Sequence, residues 1–267
     1  MAEISAKDVM TLREKTGLGM MDCKEALLKN GGDMKKAEEW LREKMKGKMD
    51  TRTERATAEG RLGIAVQGAK ASIVEVQTET DFTAKNPEFV AMVEAVAGAA
   101  LSQPAGAVRP DGAISKRVDD VRIKTGENMK FARGVTLEGG TFGSYVHHDC
   151  KRGALIQVEG QADPELLKSI CQHIVAHVPP PMSVSAEDMP AETLARVKSE
   201  AEKEAAATGK PPQIAQKIAE GKVRKFLEEN TLLEQKFVRD DSKAIKELLP
   251  KGVKVLRFVR YTVGQGE

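Results

Sequence analysis

The sequence predicts an α+β fold, and three observations support this prediction. The first 45 residues contain three short segments in which apolar residues have helical spacing. A pattern of two alternating strands followed by a helix then occurs twice. Finally, two Ala-, Glu- and Lys-rich segments at 186–229 have the narrow apolar spacing of a helical hairpin. With 40% apolar and only 4% aromatic residues, the chain favours several small aliphatic cores over a single large one.

The N-terminal segment 1–45 is predicted to be a three-helix module. Ser5 has the position of an N-cap for the first helix, with Asp8 three residues later. Glycine-containing turns end the first and second helices, and Asp33 is predicted to cap the third. The segment 46–58 is polar and basic, and we expect a solvated linker there rather than an RNA site.

The strand–strand–helix pattern starts at Glu59 and again at Glu138, which are 138 − 59 = 79 residues apart. This repeat indicates an internal duplication. Because a hairpin with one helix cannot bury its apolar face alone, we expect two related α+β subdomains with antiparallel sheets, at 59–137 and 138–267. The hairpin at 186–229 is then an insertion in the second subdomain, and its narrow apolar stripe predicts that it protrudes.

The remaining segments connect or close these units. The stretch 102–114 is rich in Pro, Gly and Ala and is predicted to be a loop. Strands are predicted at 236–238 and 253–263, with a short helix at 242–249 between them. Since the last strand is rich in apolar residues, we expect it in the interior of a sheet.

Charge and cysteine content limit the classes of function. The 42 Lys and Arg residues nearly balance the 40 Asp and Glu residues, for a formal net charge of +2. This balance argues against direct nucleic-acid binding, which needs a one-sided basic face, and fits a protein partner. No apolar run approaches the roughly 20 residues that span a bilayer, so we expect no membrane contact. Cys23, Cys150 and Cys171 lack paired spacing, and no secretory signal is recognised, which predicts reduced thiols in the cytoplasm.

The residue types needed for catalysis or metal binding cluster at one place, His147-His148-Asp149-Cys150. Neighbouring side chains on a turn diverge, whereas zinc ligands usually come as spaced pairs from two elements. His173 and His177 are four residues apart on one predicted helix, but without an HExxH pattern we favour packing at the edge of a core. No Walker phosphate loop is present. We therefore expect no enzyme, no catalytic residue, no metal and no cofactor.

The segment 79–87 carries the most distinctive side chains. It connects a predicted strand at 72–77 with a helix that Pro87 opens, and it places Asp81 beside Phe82. One interpretation is that Phe82 covers the core while Asp81 caps the helix. The other is that the turn presents both side chains to a partner. Position alone leaves both interpretations open.

Several motifs resemble those of the bacterial elongation factor Ts family, and the resemblance covers essentially the whole chain. Two departures are mild: Thr83 stands where the family usually has Val, and Gln77 stands where it usually has Asn. A further departure is that only Arg133 stands where the family usually has two arginines. The matching motifs are Leu12-Arg13-Glu14-Lys15-Thr16-Gly17, Gly19-Met20-Met21-Asp22-Cys23-Lys24, Thr80-Asp81-Phe82, Ala84-Lys85, Gly126-Glu127-Asn128 and Tyr145-Val146-His147.

The resemblance implies a guanine-nucleotide exchange factor that binds elongation factor Tu, GDP-bound or nucleotide-free, and promotes GDP release. Asp81 and Phe82 would wedge beside the magnesium and phosphate site of that GTPase. The resemblance also implies an N-terminal module of the ubiquitin-associated type and a coiled-coil arm for contacts between protein subunits, with a homodimer through the arm left open. The residues expected to contact elongation factor Tu are Arg13, Met20, Met21, Thr80, Asp81, Phe82, Thr83 and His147.

A non-catalytic adaptor is the alternative from a different class. In that interpretation the three-helix module and the helical arm would serve protein–protein interaction alone. Because Met20 and Met21 are adjacent on a predicted helix, they cannot both face the core, and we expect one to be exposed. An exposed methionine is an adaptable contact surface and fits either function. The adaptor, however, assigns no task to Asp81 and Phe82.

Overall fold

The computed structural model describes residues 4–266 and confirms the α+β class, with ten helices and nine strands in that range. The chain divides into two compact units. Unit 1 comprises the described residues up to Ala65, then Ser72–Thr136 and the residues from Val263. Unit 2 comprises Val66–Ala71 and Leu137–Thr262. Within residues 4–266, no helix combines the length and apolar character needed to cross a membrane.

Three helices open unit 1: α1 (Ala6–Thr16), α2 (Met20–Lys29) and α3 (Met34–Asp50). Ser5 and Asp33 cap α1 and α3, because each side chain accepts a hydrogen bond from a backbone N–H three residues later. Both caps confirm the sequence-based prediction. The helices bury one shared apolar core, formed by Val9, Leu12, Leu18, Cys23, Ala26, Leu27, Ala37, Leu41, Met45, Met49 and Ile123.

The third helix is longer than predicted. It continues through Asp50, although 46–58 was expected to be a linker. Met45 and Met49 are both buried, and their four-residue spacing extends the apolar face of α3 beyond the predicted end. The charged residues that alternate with these methionines made the segment resemble a solvated linker.

A four-stranded sheet and three further helices complete unit 1. The strands β1 (Glu59–Gln67), β2 (Lys70–Thr78), β3 (Gly106–Ala107) and β4 (Met129–Glu138) have the order β1-β2-β4-β3. The helices are α4 (Asp81–Lys85), α5 (Pro87–Ala100) and α6 (Gly112–Thr125). Their core includes Val74, Val76, Phe89, Val93, Val96, Ile114 and Val118.

The sequence did not predict α6, and β3 and the start of α6 lie in the segment assigned to a loop. Asp111 begins this helix by accepting hydrogen bonds from the N–H groups of Ala113 and Ile114, both at 2.9 Å. Within residues 4–266, three ion pairs join this helix to α3, and one of them places Arg122 2.5 Å from Asp50. Arg42 lies 2.8 Å from Asp120, and Lys46 lies 3.7 Å from Asp119.

A buried carboxylate, Glu75 on β2, joins distant segments of unit 1. Its Oε2 accepts a hydrogen bond from Arg133 Nε at 2.8 Å. Its Oε1 accepts hydrogen bonds from Gln77 Nε2 at 2.6 Å and from the backbone N–H of Gly264 at 2.9 Å. A buried charge is tolerated only when it is paired and hydrogen-bonded in this way.

Unit 2 repeats the hairpin-plus-helix pattern. The strands β5 (Thr141–Val146) and β6 (Arg152–Glu159) are antiparallel, and α7 (Pro164–Ala176) follows them. Gly143 pairs with Ile156, and a Cβ atom at Gly143 would lie 2.3 Å from the Cβ of Leu167. Only glycine therefore allows α7 to approach β5 this closely.

Two long helices come next, α8 (Ala191–Ala207) and α9 (Pro212–Asn230). They pack on each other through buried Ala201, Ala205 and Ala219. Two packed helices are thus present in the segment 186–229. The coiled-coil geometry of this pair and the ubiquitin-associated type of the N-terminal module stay predictions.

The end of unit 2 differs in detail from the prediction. It contains β7 (Lys236–Phe237), β8 (Asp240–Ala244), the short helix α10 (Ile245–Leu248) and β9 (Lys254–Thr262). Part of the predicted helix at 242–249 is therefore strand. The last strand, β9, is the end strand of the sheet β5-β6-β9 rather than an interior strand. Its apolar composition was misleading, because Val255 and Tyr261 are buried while Leu256 is exposed.

Candidate functional site

The turn after β2 is built by successive caps. Thr80 has an extended backbone, and its hydroxyl accepts a hydrogen bond from the N–H of Thr83 at 3.3 Å, which makes Thr80 the N-cap of α4. Asn86 ends α4 and caps α5 by accepting from the N–H of Glu88 at 2.8 Å. Pro87 then occupies the first turn of α5. The one-and-a-half turns of α4 are thus held at both ends.

Phe82 points away from the core of unit 1 and is 83% exposed. Of the two interpretations of this turn, the one in which Phe82 covers the core is therefore wrong. Asp81 is not the N-cap either, because Thr80 has that role. The next two residues, Thr83 and Ala84, are buried and attach the short helix to unit 1. The ring is thus an exposed apolar group on an anchored turn.

Asp81 lies beside this ring and forms an ion pair with Lys85, whose Nζ is 2.7 Å from Asp81 Oδ2. The hydrogen bond from Lys85 to this carboxylate raises the pKa of Lys85 above its ordinary value. The pair is exposed, so it contributes little to stability. Its carboxylate and ammonium groups instead place both signs of charge next to an apolar ring.

Glu127 supports the turn from the loop between α6 and β4. Its Oε1 accepts from the Thr80 hydroxyl at 2.7 Å, and its Oε2 accepts from the Thr78 hydroxyl at 2.9 Å and the Thr80 N–H at 3.2 Å. Burial on its own would raise the pKa of Glu127, but the hydrogen bonds from Thr80, Thr83 and Thr78 outweigh it and lower that pKa. The carboxylate is therefore ionised and accepting hydrogen bonds at neutral pH. Sequence reasoning assigned Glu127 no role.

The three-helix module exposes the other residues expected to bind a partner in unit 1. Arg13 on α1 is exposed, and Met20 and Met21 at the start of α2 are 50% and 75% exposed. One of the two methionines was expected to be exposed, whereas both are. Gly17 ends α1 in a left-handed conformation, and the buried Leu18 anchors the loop that leads to α2. The methionine pair therefore begins a helix that follows a fixed loop.

His147 follows β5 in unit 2. Its ring Nδ1 lies 2.9 Å from the hydroxyl of Tyr145, and its backbone N–H donates a hydrogen bond to the carbonyl of Arg152 at 2.8 Å. The ring of the exposed His148 lies 4.2 Å from the His147 ring, centroid to centroid. His147 is half-buried and held in place, so it can offer one edge of its ring to a partner.

The other histidine pair has a structural environment. His173 is buried; its Nε2 lies 3.0 Å from Gln235 Oε1, and its Nδ1 accepts from the N–H of Val238 at 3.3 Å. Burial lowers the pKa of His173 to about 4. Both ring nitrogens are therefore used in packing α7 against the segment after α9. Within residues 4–266, no group of three or more His, Cys, Asp or Glu side chains could hold a metal ion.

The cysteines are free thiols in the part of the chain that the structure describes. Cys23 and Cys171 are buried, and burial raises the pKa of Cys171 to about 12, which makes that thiol unreactive. Cys150 is half-buried beside His147 and His148. The described site thus offers surfaces for contact, an exposed ring above all.

Comparison with known proteins gives a consistent result over the full length. The family model described as "Elongation factor TS" matches residues 79–265, and the one described as "Elongation factor Ts, mitochondrial, N-terminal" matches residues 1–48. The chain is 42% identical over 277 aligned residues to an elongation factor Ts of Thiobacillus denitrificans, covering 100% of this chain and 94% of the relative. It is 40% identical to that of Pediococcus pentosaceus, with the same coverage, and 39% identical to that of Xanthomonas oryzae, covering 99% and 93%.

Proposed function

Because the chain belongs to the elongation factor Ts family, its role lies in translation elongation, and we propose that it is a guanine-nucleotide exchange factor for elongation factor Tu. It binds elongation factor Tu·GDP, weakens the hold on the nucleotide and passes through a nucleotide-free complex. The observation that carries this proposal is the exposed Phe82 on a turn anchored to the core of unit 1.

Phe82 acts as the wedge in this mechanism. A GTPase holds GDP through backbone amides around the phosphates and through a magnesium ion. The Phe82 ring enters an apolar gap beside the magnesium site, and Asp81 displaces the helices around it. Burying one phenylalanine stabilises a complex by about 2–3 kcal/mol. This free energy offsets part of the distortion that releases the ion and the phosphates.

Two further surfaces hold the partner while the wedge acts. Arg13, Met20 and Met21 meet the G domain, where the exposed thioethers adapt to its surface. His147 contacts the C-terminal domain of elongation factor Tu, next to the end of β5. Thr80 and Thr83 belong to the same proposed contact segment, although the Thr83 side chain is buried and the Thr80 hydroxyl bonds to Glu127.

The two-helix segment 186–229 is the fourth proposed surface. We assign it to contacts between protein subunits, either with a second copy of this chain or with the GTPase. Its seam of small alanines is narrow, so the outer faces of both helices stay available for such contacts. The sedimentation mass of the purified chain distinguishes a homodimer from a monomer.

The exchange reaction needs no chemistry from this chain. It forms and breaks no covalent bond, and it requires no catalytic residue, metal or cofactor of its own. The partner is a protein, and direct contacts with nucleic acid or membrane have no part in the mechanism. Elongation factor Tu works in the cytoplasm, and we place this chain there as well.

The deciding experiment measures the release of labelled GDP from elongation factor Tu with and without the chain. Release should accelerate in proportion to the added chain and then saturate. If a saturating amount left the intrinsic release rate unchanged, the chain would not be an exchange factor.

A non-catalytic adaptor is the second candidate, because the exposed Met20 and Met21 would serve it equally well. The two functions differ in how they respond to nucleotide. An adaptor retains its partner whether or not GDP is added, whereas an exchange factor does not. The adaptor also leaves Phe82 exposed without a task.

A further inference from the structure

The loop Gly126-Glu127-Asn128 contacts two separate segments of unit 1. On one side Glu127 accepts its hydrogen bonds from Thr78 and Thr80, immediately before the helix that carries Phe82. On the other side Asn128 and Gly126 bond to the segment that leaves α3. The two sets of bonds come from adjacent residues, so the loop joins these segments to each other.

The hydrogen bond from the Thr80 hydroxyl to Glu127 fixes the direction of the hydroxyl hydrogen in the cap. Because the Thr80 hydroxyl donates to Glu127 Oε1, its lone pairs remain for the N–H of Thr83. The same carboxylate accepts from the backbone N–H of Thr80. Helix α4 has only five residues, too few to be stable alone, so its orientation depends on this cap and on the buried Thr83 and Ala84.

Asn128 joins this arrangement to the N-terminal module. Its side-chain amide donates to the carbonyls of Thr53 at 3.1 Å and Arg55 at 2.8 Å, and its backbone N–H donates to Glu79 Oε1 at 2.6 Å. Arg52 donates to the carbonyl of Gly126 at 2.7 Å. The segment 52–55 follows directly after α3 and is thus bonded to the loop rather than free.

We propose that Glu127 and Asn128 are positioning residues for Phe82, which hold the wedge and the N-terminal module as one preformed docking surface. The inference rests on the proposed exchange function and deepens it. An exposed ring has no packing of its own to fix its direction, so the cap below it must do so. A surface ordered before binding loses less conformational entropy on binding than one ordered by the partner.

The test compares Glu127→Gln with Glu94→Gln, in the full chain. Glutamine keeps the size of Glu127 but has only one acceptor oxygen, so in either orientation of its amide at least one hydrogen bond from Thr80 to the side chain is lost. Stimulated GDP release should fall about tenfold in Glu127→Gln. It should stay at the wild-type rate in Glu94→Gln, whose side chain is exposed on α5.

A double-mutant cycle separates positioning from general stability. If Glu127 acts through Phe82, then Glu127→Gln should change release little in a chain that already carries Phe82→Ala. Losses that multiply would mean that Glu127 acts independently of the ring, and they would overturn the proposal. An unchanged release rate in Glu127→Gln alone would overturn it as well.

The outcomes also separate this inference from the proposed function. If the wild-type chain does not accelerate GDP release, the exchange function itself is wrong. If the wild type accelerates release and Phe82→Ala does not, while Glu127→Gln acts like the wild type, only the positioning role is wrong.

Amide hydrogen exchange of the wild-type chain tests the same point without relying on a variant that folds. The N–H groups of Thr80, Thr83 and Asn128 should exchange slowly, as part of one protected group. Exchange of these amides as fast as in an unstructured peptide would contradict a preformed surface.

Discussion

At the scale of single residues, Phe82 is the side chain whose removal should matter most. We expect Phe82→Ala to reduce stimulated GDP release about tenfold or more, because the wedge loses the free energy of burying the ring in the partner. Stability should stay nearly constant, since the ring is exposed in the free chain. The measurements are the rate of labelled-GDP release from elongation factor Tu at a saturating concentration of the chain, and the thermal unfolding midpoint of the chain.

Leu256→Ala is the matched control for Phe82→Ala. It also removes an exposed apolar side chain, on β9. This variant should stimulate GDP release from elongation factor Tu as much as the wild type does. Equal losses in both variants would point to nonspecific apolar contact instead of a wedge.

His173 predicts a dependence of stability on pH. Its folded-state pKa of about 4 lies below the ordinary value of about 6.5, so the unfolded chain binds a proton that the folded chain does not. The stabilisation is complete above about pH 6.5 and is lost as the pH falls towards 4. At pH 5 the His173 imidazole should lower the free energy of unfolding by about 2 kcal/mol relative to pH 7.

The check is the difference between the unfolding midpoints at pH 7 and pH 5. In His173→Gln the difference between the two midpoints should shrink, even if the variant is less stable than the wild type at both pH values. His148→Gln, at an exposed position, should keep the wild-type difference. An unchanged difference in His173→Gln would assign the acid sensitivity to other groups.

Sequence reasoning found Phe82 and missed Glu127 for a physical reason. Local features, a strand followed by a capped turn, placed Phe82 on the turn but left its exposure open, and the family resemblance assigned its role. The role of Glu127 depends on a partner 47 residues away in the chain. Only the packing of α6 beside the sheet brings the two together, and no local pattern carries that information.

At the scale of elements, two glycines should respond in opposite directions to the same substitution. Gly143→Ala should destabilise unit 2 by about 1–3 kcal/mol, because the new methyl group overlaps Leu167 on α7. Gly98→Ala should stabilise α5 by about 0.5–1 kcal/mol, because this helical position has no neighbouring atom within 4 Å of the added carbon. Denaturant unfolding followed by circular dichroism measures both. Similar effects of the two changes would contradict the close approach of α7 to β5.

The N-terminal module should contribute to the affinity for elongation factor Tu through α1 and the start of α2. We expect Met20→Ser and Arg13→Ala each to weaken binding to elongation factor Tu roughly three- to tenfold, through the loss of contact area and of a charge. Met10→Ser removes a methionine that is exposed to a similar extent on α1 and should leave the dissociation constant unchanged. If Met20→Ser and Arg13→Ala bound elongation factor Tu as tightly as the wild type, the N-terminal module would not belong to the interface.

Elements with strong local signals were predicted well, and elements defined by their neighbours were not. The caps at Ser5 and Asp33 and the two hairpins follow from short-range patterns. The extension of α3 and the whole of α6 depend on their mutual packing, in which Arg42 and Lys46 pair with acidic residues of α6. In the sequence, those charges resembled a solvated surface and hid the apolar spacing.

At the scale of the whole molecule, linkage gives a test of exchange against adaptor. If the chain weakens GDP binding to elongation factor Tu, GDP must weaken binding of the chain by the same factor. Immobilised chain should therefore capture nucleotide-free elongation factor Tu and release it when GDP is added. An equal concentration of AMP serves as the control. Retention of the partner in excess GDP would favour the adaptor.

The sequence predicted a duplication from two Glu-Gly starts 79 residues apart. The structure gives each copy a hairpin followed by a helix, β1-β2 with α5 and β5-β6 with α7. The strands that complete the two sheets differ, β4 and β3 in one and β9 in the other. Those additions come from distant segments, which is why the repeat predicted the copies but not their completed sheets.

The bond between Glu75 and Gly264 has a consequence for biosynthesis. The two residues are separated by 189 positions. The Glu75 carboxylate is therefore synthesised long before the Gly264 N–H that donates a hydrogen bond to it. At about 5–20 residues per second, a ribosome needs roughly 10–40 s to add that length. Throughout this interval Glu75 lacks one of the hydrogen bonds that it accepts in the folded chain. Because Gly264 follows Thr262, the last residue of the second unit, this hydrogen bond forms only after the whole second unit has left the exit tunnel.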